Sequence, residues 1–292
     1  MTLTANWLTF LAAFALIGAG GARMLFARLD ASDAGSGAWT DSDRLARQVG
    51  ASAAVILLIA AAFRLLAQAE SFLDQGEVLS PAVVKAVLST GWGRGWWTQV
   101  GCAVVAFLAS LGPASFALAG ALLVSMTLPL TGHAMEAPNG PIVGVTLHGL
   151  HAFAGGLWLG TLAVALFAWQ RSDPPERSGR RHARLERLIG KFSPLALISA
   201  FVLVATGSAE ALWLVGSFRA LRETVYGQRL LLKLALLAVL LGIGIYNWRV
   251  LRPLLGGRGA SRRLLRASLI ELTVAVLILG VTASLVALPA GE

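Results

Sequence analysis

The chain has 292 residues, of which 57% are hydrophobic and 13% are charged, with a net charge of +9. A soluble domain carries about 25% charged residues, so the composition excludes an ordinary soluble fold. The apolar residues form blocks, several of them longer than the ~18 residues expected of a membrane-spanning helix. Such blocks also exclude a membrane β-barrel, whose strands alternate polar and apolar residues. The sequence therefore predicts an all-α integral membrane protein.

Eight apolar segments predict a bundle of about eight transmembrane helices. They lie at 7–27, 48–69, 96–111, 114–132, 142–169, 192–217, 228–250 and 265–288. The third and fourth segments form one nearly unbroken run, and a single helix over 96–132 would rise about 55 Å, beyond the ~30 Å hydrocarbon core. Because Pro113 cannot continue a helix, a tight turn is expected at 111–113.

Lys and Arg residues cluster in three predicted loops, which follow spans one, five and seven. These loops and their flanks hold 17 of the 24 basic residues: Arg23, Arg28, Arg44, Arg47, Arg171, Arg177, Arg180, Arg181, Arg184, Arg187, Lys191, Arg249, Arg252, Arg258, Arg262, Arg263 and Arg266. With eight spans all three loops lie on one side, which the positive-inside rule assigns to the cytoplasm. Both termini and the loop 70–95 then face the periplasm of a bacterial inner membrane. Because the basic residues act as topology signals, membrane lipid is an expected partner and nucleic acid is not.

The whole chain, 1–292, is predicted to be one polytopic membrane domain. Residues 1–7 lack the basic residues of a cleaved signal peptide, so the first apolar segment is expected to be a permanent helix. Within the domain we distinguish a three-helix part, 1–112, which includes the outer loop 70–95, and a five-helix part, 113–292.

Three of the four histidines, His133, His148 and His151, fall between residues 133 and 151. His148 and His151 are three residues apart in span five, so they share a helix face, and Trp158 lies on that face seven residues further on. His133 ends span four, which a short loop joins to span five. We therefore expect the three imidazoles to converge at the outer ends of these two helices.

Two methionines accompany these histidines. Met126 lies seven residues before His133, and Met135 lies two residues after it. Imidazole and thioether groups together suit copper, particularly Cu(I), whereas hard cations prefer several carboxylates and the region offers Glu136 alone. Ionisable groups at membrane depth usually face a cavity or a pathway. The candidate copper ligands are therefore His133, His148, His151, Met126 and Met135, with ordinary core packing as the alternative for both methionines.

A possible ion pathway is marked by further polar residues inside the spans. Glu210 and Lys233 lie in the outer parts of spans six and seven, where they can pair, and Glu271 lies in the inner part of span eight. Glu136 and Trp158 belong to the same candidate pathway. Helix-to-helix hydrogen bonding is the alternative role for both Glu210 and Glu271.

Several fragments resemble the copper resistance protein D (CopD) family. They are Gly132-His133-Ala134, the run from His151 to Gly160 that contains Trp158-Leu159-Gly160, Lys191-Phe192-Ser193-Pro194, Tyr226-Gly227-Gln228-Arg229-Leu230-Leu231-Leu232-Lys233, Asn247, Glu271 and Leu288-Pro289. These fragments occur in order over spans four to eight, while the first three spans resemble the family only in hydropathy.

The resemblance implies a multi-span inner-membrane protein that handles copper and is not an enzyme. It implies copper uptake from the periplasm, alongside a small periplasmic copper-binding partner of the CopC type, with His133, His148 and His151 as candidate ligands. No phosphate-binding loop of the G-x-x-x-x-G-K-[ST] type occurs, so transport is expected to be passive or coupled to an ion gradient or a chaperone. Two alternatives stay open: a membrane b-type haem protein with Trp158 against the ring, and a copper-binding assembly factor without transport.

Overall fold

The computed structural model describes residues 2–33, 37–73, 78–132, 139–172, 178–215, 218–254 and 260–286. Within these ranges the chain is helical and contains no strand, which confirms the all-α prediction. The described helices are α1 (Thr2–Ser32), α2 (Thr40–Glu70), α3 (Pro81–Ser89), α4 (Gly91–Leu111), α5 (Ala114–Thr127), α6 (Pro141–Gly155), α7 (Thr161–Ser172), α8 (Ser178–Val215), α9 (Phe218–Glu223), α10 (Val225–Tyr246) and α11 (Ala260–Val286). Two π-helical turns, Gly156–Gly160 and Asn247–Leu251, follow α6 and α10.

Seven helical segments of the described chain are long and apolar enough to cross a membrane. They are Leu3–Ser32, Thr40–Glu70, Ala114–Thr131, Pro141–Arg171, Ala183–Leu212, Val225–Leu254 and Arg262–Val286. Helix α4 corresponds to the remaining predicted span and carries the polar residues Arg94 and Gln99. Helices α4 and α5 separate at Gly112 and Pro113, as the sequence predicted.

Helix α4 nevertheless runs the full height of the bundle. At its first turns a Cβ on Gly95 would lie 2.6 Å from the carbonyl oxygen of Leu130, next to the end of α5. At its other end Arg47 donates a hydrogen bond to the carbonyl of Leu111 at 2.9 Å. Its 21 residues correspond to a rise of about 32 Å, enough to cross the hydrocarbon core.

Buried Arg23 identifies one end of the bundle. It donates to the carbonyls of Ser110 at 3.0 Å and Gly112 at 2.8 Å, and it pairs with Asp43 at 2.9 Å. The turn between α4 and α5 therefore lies beside the loop between α1 and α2. We call this the Arg-rich end of the bundle and the opposite end the histidine end.

The other basic loops lie at the same end. Arg187, near the start of α8, pairs with Asp33, which follows α1. Arg252, which follows α10, lines one cavity with Ile189 of α8. The described parts of all three basic loops therefore share one end, as the charge pattern predicted.

Helix α1 lies at the centre of the bundle and touches the π turn Gly156–Gly160. A Cβ added at Gly160 would collide with the carbonyl oxygen of Phe14, and a Cβ at Gly18 would collide with the backbone of Gly160. Small residues let membrane helices approach this closely, so dispersion contacts replace the hydrophobic drive that lipid does not supply. Helices α2, α5, α7 and α11 surround α1.

The last spans pack less tightly than the first. Helix α8 packs mainly on α6, while α10 packs mainly on α11, and a cleft separates α8 from α10 towards the Arg-rich end. Leu197 and Ile245, on the two sides of this cleft, are exposed on the surface of the bundle. Polar residues at the bottom of the cleft are therefore accessible through its opening.

The glycine contact predicts that Gly160→Ala destabilises the protein. The added methyl group must push α1 away from the π turn, and overpacking of this kind costs about 1–3 kcal/mol. Circular dichroism melting in detergent should show a lower melting temperature. Gly242→Ala is the matched control, because its Cβ meets nothing within 4 Å, and it should leave the melting temperature unchanged or slightly higher. Equal melting of the two variants would contradict the contact.

Candidate functional site

His148 and His151 both face α8 near the histidine end. His148 lies 3.4 Å from Glu210, measured between Nδ1 and Oε1. His151 Nδ1 lies 3.1 Å from the carbonyl oxygen of Leu203 and 3.2 Å from the hydroxyl oxygen of Thr206. Helix α8 therefore brings a carboxylate to His148, and a carbonyl and a hydroxyl oxygen to His151.

The contacts of His151 determine which ring nitrogen is free. A carbonyl oxygen only accepts hydrogen bonds, so Nδ1 carries the proton that is donated to Leu203. The Thr206 hydroxyl uses its proton to donate to the carbonyl of Val202 at 2.7 Å, so its oxygen can only accept from Nδ1 of His151. Nε2 of His151 therefore carries a lone pair, which is the arrangement that outer-shell hydrogen bonds impose on metal-binding histidines.

Gly207 of α8 makes room for the imidazole of His151. A Cβ at this position would lie 2.8 Å from Cε1 and 3.1 Å from Nδ1 of His151. Sequence reasoning missed Gly207, Leu203 and Thr206, because their role depends on how α8 is aligned against α6. A glycine one turn before Glu210 in an apolar span was the only signal available.

Glu210 is oriented towards the histidines. The side chain of Glu210 is 14% exposed and that of His148 is 28% exposed, so their contact is mostly buried but still accessible from the surface. Lys233 of α10 lies within electrostatic range of Glu210 and His151, but within the described chain no ion pair of 4.0 Å or less joins Lys233 to Glu210. The direct pairing of Glu210 with Lys233 that the sequence suggested is replaced by the contact with His148.

Met126 does not join His151. It packs on Gly149, where a Cβ would lie 2.6 Å from the methionine sulfur. At about 100° per residue, Gly149 and His151 lie roughly 160° apart around α6, so Met126 lies on the α5 side and His151 on the α8 side. Helical spacing in α5 could not reveal this, since it does not show which face of α6 the methionine meets.

The remaining predicted ligands, His133 and Met135, lie outside the described residues, as does Glu136. Among the residues that the structure does describe, no group of three His, Cys, Asp or Glu side chains is close enough to hold a metal ion. The described part of the candidate site is thus a pair of imidazoles with an adjacent carboxylate.

Trp158 and Glu271 meet nearer the Arg-rich end. The indole nitrogen of Trp158 donates to Oε1 of Glu271 at 3.0 Å, and the amide of Asn247 donates to Oε2 at 2.8 Å. Trp158 and Asn247 each lie in one of the two π turns, while Glu271 lies in α11 and is 3% exposed. Seven residues separate Trp158 from His151, which is about 10 Å along the helix.

A cavity of about 120 Å³ opens beside Glu271 at the bottom of the α8–α10 cleft. Its walls are mainly apolar, and its polar lining residues are Trp158, Ser193, Asn247, Trp248, Arg252, Ser268 and Glu271. Glu271 and its cavity thus form a polar centre that is separate from the histidine pair.

These features define a polytopic membrane protein with an imidazole–carboxylate pair near one end and a buried carboxylate nearer the other. The family comparisons identify the class more closely. The sequence model of copper resistance protein D matches residues 186–285, and that of the copper resistance protein D-like N-terminal domain matches residues 1–141. The two matches cover most of the chain, which belongs to the copper resistance protein D family. The N-terminal match includes the spans whose likeness was visible only in hydropathy.

Three curated relatives agree with this assignment. Copper resistance protein D of Pseudomonas syringae pv. tomato is 29% identical over 244 residues, 78% of each chain. Inner membrane protein YebZ of Escherichia coli K12 is 30% identical over 183 residues, 61% of each chain. Copper transport protein CutJ of Bacillus subtilis is 28% identical over 124 residues, 42% of this chain and 22% of CutJ. No solved structure matches the chain.

The relatives and the apolar helices place the chain in the inner membrane as a multi-pass protein with a role in copper handling.

The Glu271 contacts predict that Trp158→Phe destabilises the protein. Phenylalanine keeps the aromatic packing but removes the donor to Oε1, and an unsatisfied buried acceptor costs about 1–3 kcal/mol. Circular dichroism melting should show this loss against Trp97→Phe, whose parent side chain is 56% exposed. If both variants melt at the temperature of the original protein, the hydrogen bond contributes nothing.

Proposed function

We propose that this protein carries copper inward across the inner membrane and takes up the ion at the histidine end through His148 and His151. The observation that carries the proposal is the orientation of His151. Its Nδ1 proton is donated to Leu203, so the lone pair of Nε2 is available to a metal ion. Copper is the cargo of this site rather than a resident cofactor.

The ligand chemistry supports copper as the cargo. Imidazole is a good ligand for copper, and calcium or magnesium would need more carboxylate oxygens than Glu210 supplies. Glu210 offsets part of the positive charge of a bound ion, since it lies 3.4 Å from His148. Lys233 lies within electrostatic range of both Glu210 and His151.

The orientation in the membrane is part of the proposal. The positive-inside rule places the Arg-rich end in the cytoplasm and the histidine end in the periplasm, with both termini on the periplasmic side. Helix α3 and the loop 70–95 then face the periplasm, where a CopC-type copper-binding protein could deliver the ion. His133, Met135 and Glu136 stay candidate contributors at the same end.

The b-type haem alternative needs His133 as the axial ligand from the facing helix, because His148 and His151 share one helix and both face α8. His133 lies outside the described residues. The apolar cavity lies beside Glu271 rather than beside the two histidines. An assembly factor that binds copper without moving it remains a distinct outcome of the transport experiment.

Proteoliposomes loaded with a copper-sensitive dye test the transport proposal. We expect saturable uptake of Cu(I) or Cu(II), and we expect His148→Ala and His151→Ala each to lower it more than tenfold through loss of a ligand. Copper bound per chain, measured on the same samples, separates transport from binding. Binding without uptake would identify an assembly factor, and equal uptake by all three proteins would disprove the site.

A matched pair of α8 variants controls for general damage. Gly207→Ala should displace the His151 imidazole and weaken copper binding by about 10–100-fold, the range measured when outer-shell support is lost. Gly190→Ala changes the same helix where its Cβ meets nothing within 4 Å, so its affinity should match the original protein. Equal affinity of the two variants would contradict the role assigned to His151.

Cysteine labelling tests the orientation. In a Cys102→Ser background, a membrane-impermeant maleimide added to spheroplasts should label Ser89→Cys, at the end of α3. It should label Ala183→Cys, near the start of α8, only after lysis. The reverse pattern would place the histidines in the cytoplasm and exclude uptake from the periplasm.

A further inference from the structure

We propose that Glu271 binds a proton and exchanges it with the Arg-rich side of the membrane through the adjoining cavity. The proton site stands on its own geometry, while its coupling to copper rests on the function proposed above. It is supported by the burial of the carboxyl group, its neutral partners, the few charged groups around the cavity, an unsatisfied acceptor beside it, its donor chemistry and two π turns.

Glu271 has no counter-ion within the described chain. The residue is 3% exposed, and the donors that the described residues supply, Trp158 and Asn247, are both neutral. Within the described chain, no ion pair of 4.0 Å or less joins the Glu271 carboxylate to a Lys, Arg or His side chain. Burial of an uncompensated carboxylate is costly, and a bound proton removes that cost.

The charged groups around the cavity are few. Helix α8 contributes Ser193 and apolar residues, and α11 contributes Ser268 next to Glu271 itself. Among the described lining residues, Arg252 is the other charged group, and it lies on the segment that follows α10 at the Arg-rich end. A proton that enters from this end therefore passes one cation and then reaches a single anion.

An unsatisfied acceptor lies at the same place. The Oδ1 atom of Asn247 is buried and has no hydrogen-bond partner among the described residues, while its Nδ2 is held by Glu271. The cavity of about 120 Å³ has room for roughly four water molecules at ~30 Å³ each. Water donors would satisfy Asn247 Oδ1 and connect it with the open lone pairs of Glu271 and the hydroxyls of Ser193 and Ser268.

The donor atoms favour a proton over copper at this site. Carboxylate, amide and hydroxyl oxygens are hard ligands, whereas soft copper prefers imidazole or sulfur. Along the helix, His151 and His148 lie about 10 and 15 Å from Trp158, the donor to Glu271, towards the histidine end. The two centres therefore differ in chemistry as well as in position.

The two donors to Glu271 come from unusual backbone. Trp158 lies in the first π turn and Asn247 begins the second. Single π turns inside helices occur frequently at functional sites, because the extra residue re-aims a side chain and weakens the local helix. Two such turns that converge on one carboxyl group indicate a position built around Glu271.

The coupling follows from charge. A copper cation that moves inward from the histidines raises the electrostatic potential at Glu271 and favours the loss of its proton. A carboxylate without its proton in turn attracts the incoming cation. The proton leaves through the cavity to the Arg-rich side as copper approaches, and Glu271 takes a proton back from that side once the ion has passed, so the buried charge stays nearly constant.

Infrared difference spectroscopy of the full chain in liposomes tests the proton site without copper. As the pH is lowered, the original protein should gain the C=O band of a protonated carboxyl group that Glu271→Gln lacks. Glutamine keeps the shape of the side chain and an oxygen for Trp158. Glu210→Gln is the spectral control and should retain the band. Identical spectra of the original protein and Glu271→Gln would overturn the proposal.

A sodium arm and a transport arm complete the test. Replacing choline by sodium at constant pH should leave the band unchanged, and loss of the band in sodium would assign the site to a metal cation instead. In proteoliposomes, addition of copper should make the original protein release protons on the Arg-rich side, seen as a transient change of a pH dye, and Glu271→Gln should abolish this signal while copper binding at the histidines persists. A proton signal that survives Glu271→Gln would overturn the coupling. If the original protein moves no copper, the proposed function fails while the spectra still decide the proton site.

Discussion

The backbone contact between Gly18 of α1 and Gly160 connects the central helix to the span that carries the histidines. No side chain separates the two segments there, so neither helix can rotate or slide without a collision. The rotation of this span directs His148 and His151 towards α8 and Trp158 towards Glu271. Each functional contact described above therefore depends on two glycines that take no part in chemistry.

A second constraint is that polar groups inside lipid need partners from the protein itself. Arg23 finds such partners in the carbonyls of the turn between α4 and α5, and His151 finds one in the carbonyl of Leu203. Glu271 meets it only in part, because both donors are neutral and an acceptor beside it stays open.

The two centres also differ in their surroundings. The histidine pair lies between α6 and α8, with Glu210 and Lys233 near enough to adjust its charge. The Glu271 centre lies below the cleft between α8 and α10, the least packed part of the bundle. A loosely packed region is where helices can move at low cost.

The sequence by itself determined the all-α membrane class, the break at Pro113, the clustering of the basic loops and the shared face of His148 and His151. These depend on local hydropathy, charge and helical period, which are properties of neighbouring residues. Only the tertiary structure decided that Met126 meets Gly149, that Glu210 contacts His148 rather than Lys233, and that Gly207 makes room for His151. Such pairings depend on the rotation and height of each helix against its neighbours, and these are set by close contacts between residues far apart in the chain.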